Sequence, residues 1–394
     1  MMSKFRKLKL KQLIIMLPAL MMLIMSASAQ ENLIQEKISE KSRECASPQI
    51  VSNESGTVFC VWEGTSDDRS RIFFREIQED ARGPEKIIDD TQWGNNTDPA
   101  ITLDDKGNPH VVWTSVDEEG THVHYAFRLE GQWVYPPLIR TSPDKNCEFP
   151  KIAVQHGLNR VFITWQEGRG SCYGIFCALQ DKKGGFTVSR ISDPDHQGYN
   201  LYPRVFASPT PFITWYGLGD SDFVLKASLL NLQTEQWMNY EPAGLENLPA
   251  NRMPHIMSDP QGTLYAVWYD SDSSTDRIYF ARQNDAGRGG GVVVDDNPDR
   301  MNSMPAGNPF GESGIALCWR GESIFGGQIF LTVGMADGES IDFMESMLLS
   351  DGQKLFYSQP DVTVLPGGHI AAVWVSNFSD GGDGAVYFRL YQLQ

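Results

Sequence analysis

The sequence predicts an all-β fold, a seven-bladed β-propeller with four-stranded blades, on two observations. The first is a repeat of about 51 residues in which a Pro is followed by a Trp, usually 14 residues later. The second is that each repeat contains short β-branched and aromatic runs bounded by Gly, Asp, Asn and Pro, which are typical of strands. Four-stranded units repeated seven times can bury their faces against one another around an axis, as propeller blades do.

The repeat takes up seven of the ten Trp residues in a single phase. The pairs are Pro48/Trp62, Pro99/Trp113, Pro150/Trp165, Pro203/Trp215, Pro254/Trp268, Pro305/Trp319 and Pro360/Trp374. We expect each Trp to lie in the core between adjacent blades. We expect each Pro to lie where a strand begins, because no ladder donor is needed there.

The N-terminal run "IQEKISEKS" (34–42) resembles "PEKIIDD" (84–90), the predicted fourth strand of the first repeat. The seventh repeat shows only three strands before Gln394. We therefore expect Gln35 to Glu40 to supply the outer strand of the seventh blade, which would close the ring and protect an edge.

Residues 1–29 have the pattern of a secretory signal peptide. A basic stretch precedes an apolar run from Leu13 to Met25, and Ala27-Ser28-Ala29 forms a small-x-small cleavage site. The apolar run is short for a membrane span and contains Pro18, so we expect no membrane span. The prediction is a secreted or periplasmic protein, cleaved near Ala29, whose residues 30–394 form a single monomeric propeller domain.

The charge balance limits the classes of partner. The chain has 33 basic and 50 acidic residues, for a net charge of −17, and the leader contains five of the basic residues and none of the acidic ones. Affinity for nucleic acid depends on clustered Lys and Arg, so a nucleic-acid partner is not expected. The acidic balance favours a cationic, neutral or metal-bridged partner, and a carbohydrate or protein ligand is expected.

The repeat unit also resembles a known family. "SDPQGTLYAVWYDSDSSTDRIYFAR" (258–282) is its best example, and it resembles the sialidase-like (BNR-type) propellers of secreted bacterial proteins. Those proteins carry Asp-boxes between the third and fourth strands, whereas here the Asp-Gly turn falls between the first and second. The resemblance implies the propeller fold. Its motifs assign no catalytic residue, and only Arg252-Met253-Pro254 resembles the start of a sialidase.

Candidate functional residues lie where the repeats differ. Loops before the first strand and after the second lie on one face of a propeller, around its axis. Carboxylates and a phenol suited to glycosidic catalysis occur there, namely Asp98, Glu148, Tyr269 and Asp270. Candidate ligand-binding side chains are Glu63, Arg204, Arg252, His255, Tyr216 and Arg320.

Two functions remain open from these residues. A lectin with one site per blade would repeat its binding residues, yet only structural residues repeat. The first hypothesis is therefore an exported binding module that recognises a carbohydrate or protein ligand on one loop face. The alternative is a glycan-active enzyme, a sialidase-like glycoside hydrolase or a propeller-type polysaccharide lyase, with a single axial site. A mixed set of charges is also what any solvated loop face shows.

One loop suggests a cation. In "DSDSSTD" (270–276), the residues Asp270, Asp272, Ser274 and Asp276 alternate as oxygen ligands do in a calcium loop. The loop lacks the Gly and the Glu that such loops carry, so a polar hairpin loop is the competing interpretation. The expected cofactor is either none or Ca²⁺.

The six Cys residues contain no CxxC pair, so zinc is not predicted. Cys147 and Cys172 should fall on the same face of one blade, where a bridge between them would be compatible with export. Cys60 and Cys318 lie beside core Trp residues and are predicted to be buried thiols.

Overall fold

A computed structural model describes residues 35–394 apart from 90–93, 119, 138, 140–144, 195–197, 220–222, 241, 243–244, 246–247, 249–253, 272–275, 284–290, 296, 298–299, 324–325, 338–339, 351–354, 379–383 and 393–394. The described part of the chain forms seven antiparallel sheets and no helix, so it contains no helix that could cross a membrane. The predicted seven-bladed β-propeller is confirmed. Arg252, Asp272 and Ser274 lie outside the described residues.

Blades are numbered in chain order, and strands run from the inside of each blade to its outside. Blade 1 contains β2 (Arg43–Ser52), β3 (Val58–Ser66), β4 (Arg69–Gln78), β5 (Ala81–Arg82) and β6 (Lys86–Ile87). Blade 2 contains β7 (Asn95–Leu103), β8 (Pro109–Asp117), β9 (Gly120–Leu129) and β10 (Gln132–Val134). Blade 3 contains β11 (Asn146–Gln155), β12 (Arg160–Arg169), β13 (Cys172–Gln180) and β14 (Phe186–Arg190). Blade 4 contains β15 (Asn200–Phe206), β16 (Phe212–Leu218), β17 (Phe223–Asn231) and β18 (Gln236–Tyr240).

The remaining blades follow the same order. Blade 5 contains β19 (His255–Ser258), β20 (Leu264–Ser271), β21 (Asp276–Arg282) and β22 (Val292–Val293). Blade 6 contains β23 (Met301–Phe310), β24 (Gly314–Ser323), β25 (Gly326–Asp337), β26 (Ser340–Phe343) and β27 (Met347–Leu348). Blade 7 contains β28 (Leu355–Val364), β29 (His369–Phe378), β30 (Ala385–Gln392) and, as its outer strand, β1 (Glu36–Lys37).

The predicted closure of the ring is confirmed. Glu36 and Lys37 pair antiparallel with Phe388 and Tyr387 of the last strand. The chain therefore completes blade 7 from its N-terminal side, which satisfies an edge that would otherwise expose unpaired backbone groups.

In six of the seven blades the repeated Pro lies inside the inner strand, not at its start as predicted, whereas Pro254 directly precedes β19 of blade 5, as predicted. In six blades the register slips at the Pro, so that the Pro and the residue before it oppose the Trp of the second strand; in blade 3, for example, Phe149 and Pro150 oppose Trp165. The residue before each of these Pro residues has a positive φ of 50–53°. This is a β-bulge, in which two residues face one and the strand bends. The missing N–H of Pro costs no ladder hydrogen bond there.

The repeated Trp side chains form the blade core, as predicted. Their exposed fractions run from 0% to 4%. Five of them stack on the aromatic ring that pairs with them on the third strand, for example Trp113 on His124 at a centroid distance of 5.4 Å. We call these seven side chains the tryptophan ring.

A hydrogen bond from the indole N–H recurs in several blades. Asn96, Asn200 and Asn302, each three residues before a repeated Pro, accept this bond at 2.9–3.1 Å. Blades 1 and 3 carry Cys45 and Cys147 at that position. Their indoles donate elsewhere, to Ser42 at 2.9 Å and Glu167 at 3.3 Å.

Candidate functional site

The residue directly after each repeated Pro lies on an innermost strand, next to the propeller axis. These seven residues, which we call the post-proline ring, are Gln49, Ala100, Lys151, Arg204, His255, Ala306 and Asp361. The position shows no common residue type, in contrast to the tryptophan ring.

Four members of the post-proline ring form one charged cluster. The Nη2 of Arg204 donates a hydrogen bond to Nδ1 of His255 at 3.0 Å. Lys151 interacts electrostatically with Arg204, His255 and Asp361. Each of the four side chains is partly exposed to solvent, although inner strands surround it. We call this group the axial cluster.

Crowding at the axis changes the protonation of these groups. Burial, aided by the neighbouring Arg204, lowers the pKa of Lys151 to about 8. Burial also lowers the pKa of His255 well below its ordinary value, and both Arg204 and Lys151 act in the same direction. The imidazole is therefore neutral at neutral pH. Since its Nδ1 accepts from a guanidinium, its proton is assigned to Nε2, which can donate to a ligand.

Asp361 is the acidic member of the axial cluster. Burial raises the pKa of its carboxyl to about 6, although Arg204 and Lys151 oppose the shift. Its Oδ2 also accepts a hydrogen bond from the backbone N–H of Ile50 at 3.0 Å, which joins blade 7 to blade 1. The cluster thus carries more positive than negative charge within a strongly acidic chain.

A pair of aromatic rings lies on neighbouring bulges. Phe149 and Tyr202 precede the repeated Pro residues of blades 3 and 4, and their ring centroids are 4.8 Å apart at an angle of 49°. Both side chains are half-buried. Tyr202 also interacts electrostatically with Glu148 and Asp98. An aromatic surface bordered by carboxylates can stack on an apolar ring face while hydrogen-bonding its polar edge.

Asp98 and Glu148 lie beside this aromatic pair, and Glu63 of the preceding blade is a neighbour of Asp98. Glu148 accepts hydrogen bonds from Gln166 at 2.9 Å and from the hydroxyl of Tyr173 at 3.3 Å. Burial raises the pKa of Asp98, and the charge of Glu148 adds to this, while Lys151 acts against it. Burial similarly raises the pKa of Glu63, with a smaller contribution from the charge of Asp98.

Residues directly after the repeated Trp hold the bulge of the next blade. Glu63 accepts from the backbone N–H of Asp98 at 3.0 Å, and Gln166 accepts from that of Tyr202 at 2.8 Å. The hydroxyl of Tyr216 donates to the carbonyl of Pro254 at 2.6 Å. Each of these side chains thus fixes a residue of the axial region in the neighbouring blade.

The structure brings together several residues predicted from the sequence. Arg204 and His255 belong to the axial cluster, and Tyr216 interacts electrostatically with Arg204. Asp98 and Glu148 are electrostatic neighbours of each other.

Other predicted residues belong to blades 5 and 6. Tyr269 packs against the core shared by these blades. Arg320 pairs with Glu322 at 3.0 Å, on its own strand. Asp270 and Asp276 lie on adjacent strands, β20 and β21. No group of three metal-ligating side chains occurs within the described ranges, and calcium binding by the 270–276 loop stays a prediction because its centre lies outside them.

Sequence reasoning did not identify Lys151, Asp361 or Phe149. The signal that could have found them is their position directly beside the repeated Pro, where the ring changes residue type from blade to blade.

All six cysteines are free thiols, so the Cys147–Cys172 bridge considered from the sequence does not form. Cys147 is buried on the inner strand opposite Glu167, whereas Cys172 is exposed on the third strand opposite Arg169. A whole strand thus separates them. Cys60 and Cys318 are buried thiols, as predicted.

No protein-family model matches the sequence, and no curated protein matches it. Among solved structures, an ulvan lyase of polysaccharide lyase family PL25, bound to -[GlcA(1-4)Rha3S]-, is similar with a TM-score of 0.61 at 10% identity, over 91% of this chain and 96% of that one. The polysaccharide lyase Uly1 is similar with a TM-score of 0.55 at 10% identity, over 93% and 95%. The NanB sialidase of Streptococcus pneumoniae has a TM-score of 0.48 at 11% identity, over 92% and 70%. At these identities the lyases establish a shared propeller fold.

Proposed function

We propose that this protein is an exported carbohydrate-binding module whose single site lies at the propeller axis and takes an acidic glycan. The observation that carries the proposal is the convergence of Lys151, Arg204 and His255 from three consecutive blades. In a chain of net charge −17, basic side chains gathered at one place favour an anionic ligand over a cationic one.

The neighbouring groups suit a sugar. The Phe149–Tyr202 pair offers an apolar surface for a sugar ring. Glu148 and Asp98 offer acceptors for hydroxyl groups. The axial cluster offers donors for a carboxylate or sulfate, namely Nζ of Lys151, the guanidinium of Arg204 and Nε2 of His255. The similar ulvan lyase holds a -[GlcA(1-4)Rha3S]- repeat, which makes ulvan a suitable first probe.

Two features favour binding over turnover. Nδ1 of His255 is occupied by Arg204, so the imidazole has no free basic nitrogen. The hydroxyl of Tyr216 is buried and donates to a backbone carbonyl, and burial raises the pKa of this phenol above its ordinary value. Neither group is arranged as a general base in this state.

The glycan-active enzyme is the second candidate, and one observation favours it. Asp98 and Glu148 lie beside the proposed sugar surface, Glu63 is a neighbour of Asp98, and burial raises the pKa values of Glu63 and Asp98. A carboxyl group with a raised pKa next to a second carboxyl group is the pairing that glycosidic acid–base catalysis uses.

A glycan panel assayed for both binding and turnover tests the proposal. The probes are ulvan, polygalacturonate and chondroitin sulfate, with maltohexaose and cellohexaose as neutral controls, each with and without a chelator. We expect calorimetry to detect binding of an acidic probe without product release. Lys151→Met should weaken that binding by about tenfold or more, because a charged hydrogen bond is lost.

Lys106→Met is the matched control, since it removes the same charge from an exposed turn on the opposite face. It should leave affinity unchanged. Product release from any probe, lost in Glu148→Gln, would establish the enzyme instead. If none of the glycans binds, the carbohydrate proposal is overturned and a protein ligand becomes the candidate. Loss of binding on chelation would support the calcium prediction.

A further inference from the structure

A cleft opens at the edge of blade 3, on the same face of the propeller as the axial site, by which we mean the axial cluster with the neighbouring aromatic pair. Its volume is about 320 Å³. Its lining includes Lys145, Glu167, Arg169, Cys172, Tyr173 and Arg190. We call it the blade-3 cleft.

A second cavity, of about 550 Å³, lies on the opposite face of the propeller, where blades 1 and 7 meet. It is separate from the blade-3 cleft.

The blade-3 cleft is rich in positive charge. Lys145, Arg169 and Arg190 line it, and the one carboxylate among its lining residues is that of Glu167. That carboxylate is almost fully buried and is already engaged, since it accepts from the indole of Trp165 at 3.3 Å and lies 3.9 Å from the Nζ of Lys145. The exposed guanidinium groups of Arg169 and Arg190 therefore dominate the charge that the cleft presents to solvent.

The local backbone makes room for one of these cations. A Cβ added at Gly174 would lie 3.0 Å from the Nε of Arg190, so the absence of a side chain at this position lets the guanidinium lie against the third strand. The same guanidinium donates to the carbonyl of Asp193 at 3.3 Å, which holds it near the end of the fourth strand.

The cleft adjoins the axial site through one side chain. Tyr173 lines the cleft, and its hydroxyl donates to Glu148, which lies beside the aromatic pair of the axial site. A glycan chain that leaves the axis over blade 3 would therefore reach the cleft next.

We infer that the blade-3 cleft is a second anion-binding subsite, which takes the carboxylate or sulfate of a further acidic sugar in the same glycan chain. The inference rests on the proposed function and deepens it, because it identifies the ligand as an acidic polymer and not a single sugar. Arg169 and Arg190 would bind the anionic group, since guanidinium groups pair with carboxylates and sulfates through parallel hydrogen bonds.

Chain length provides the test. The probes are disaccharides and hexasaccharides prepared from ulvan, polygalacturonate and chondroitin sulfate, with affinities measured by calorimetry. The double variant Arg169→Gln/Arg190→Gln should weaken hexasaccharide binding by about three- to tenfold, as expected for exposed ion pairs, and should leave disaccharide binding unchanged.

The matched control is Lys182→Gln/Lys183→Gln. It removes two charges from the same blade, but from the exposed turn between β13 and β14 on the opposite face. It should change neither affinity. If the arginine variant binds the hexasaccharide as tightly as the wild type, while Lys151→Met weakens both probes, the subsite is overturned and the axial site stands. If the wild type binds no acidic probe, the proposed function itself fails.

Cys172 provides a second measurement on the unmodified chain. It is the exposed one of the six free cysteines, and it lines the cleft. A bound hexasaccharide should slow labelling of Cys172 by a small thiol reagent at least threefold, whereas the disaccharide at equal saturation should not. Equal labelling rates with both probes would overturn the subsite. This result does not depend on whether the arginine variant folds, because the measurement uses the unmodified chain.

Discussion

In six of the seven blades the tryptophan ring and the post-proline ring flank the same bulge, yet the repeat preserves one ring and varies the other. In blade 3, Trp165 opposes the bulge on the second strand, and Lys151 follows it on the inner strand. The Trp side chain faces the interior between blades, where only a large apolar group fills the space. The residue after the Pro faces the axis, where packing places fewer limits on the size and polarity of the side chain. A repeat protein can thus change its ligand at one ring without disturbing the other.

The largest expected effect separates the two rings within one blade. Trp165 is 0% exposed, so Trp165→Ala should lower the free energy of unfolding by about 3–5 kcal/mol through lost burial and a cavity. Lys151→Met should leave the free energy of unfolding unchanged or raise it by up to about 1 kcal/mol, because it removes a desolvated charge beside Arg204. Urea unfolding followed by tryptophan fluorescence and circular dichroism measures both.

A reversed order of these two variants would contradict the division between the rings. Trp133→Ala is the control for loss of a Trp as such, because this residue lies half-buried on the outer strand of blade 2. It should cost less than Trp165→Ala.

A smaller effect distinguishes blades within the tryptophan ring. The indole N–H of Trp319 donates to Asn302 at 3.0 Å, whereas that of Trp374 has no hydrogen-bond partner among the described residues. Trp319→Phe should therefore cost about 1–2 kcal/mol more in unfolding free energy than Trp374→Phe, because it removes the donor to the buried Oδ1 of Asn302. Equal losses in chemical denaturation would show that the indole hydrogen bond contributes nothing.

The sequence was sufficient to predict the number of blades, the tryptophan core and the closing strand, because each follows from a pattern that recurs along the chain. It did not reveal the bulge. The residues with positive φ include Phe149, Tyr202 and Met304, and none of these favours that conformation locally. The facing Trp and the following Pro define the bulge, and the pairing of the two strands appears only in three dimensions.

The same limit applied to the axial site. Arg204 and His255 were predicted because they flank a repeated Pro in blades 4 and 5. Lys151 has the same position in blade 3, but nothing in the sequence around it distinguishes it from other lysines on strands. Only the ring geometry brings these residues from separate repeats together with Asp361.

The smallest expected effect tests the bulge from which both rings arise. Met304 and Met301 lie on the same inner strand of blade 6, and both are exposed, by 45% and 53%. Met304 has a φ of 51°, a conformation that glycine adopts without steric cost, whereas no positive φ occurs at Met301. Met304→Gly should change the free energy of unfolding by no more than about 0.5 kcal/mol, and Met301→Gly should lower it by about 0.5–1 kcal/mol. Because the two variants remove the same exposed side chain, the difference between them measures the backbone alone. Equal losses in urea titrations would mean that the left-handed residue is not strained, and that the bulge is held by the Pro and the Trp without opposition from the residue before them.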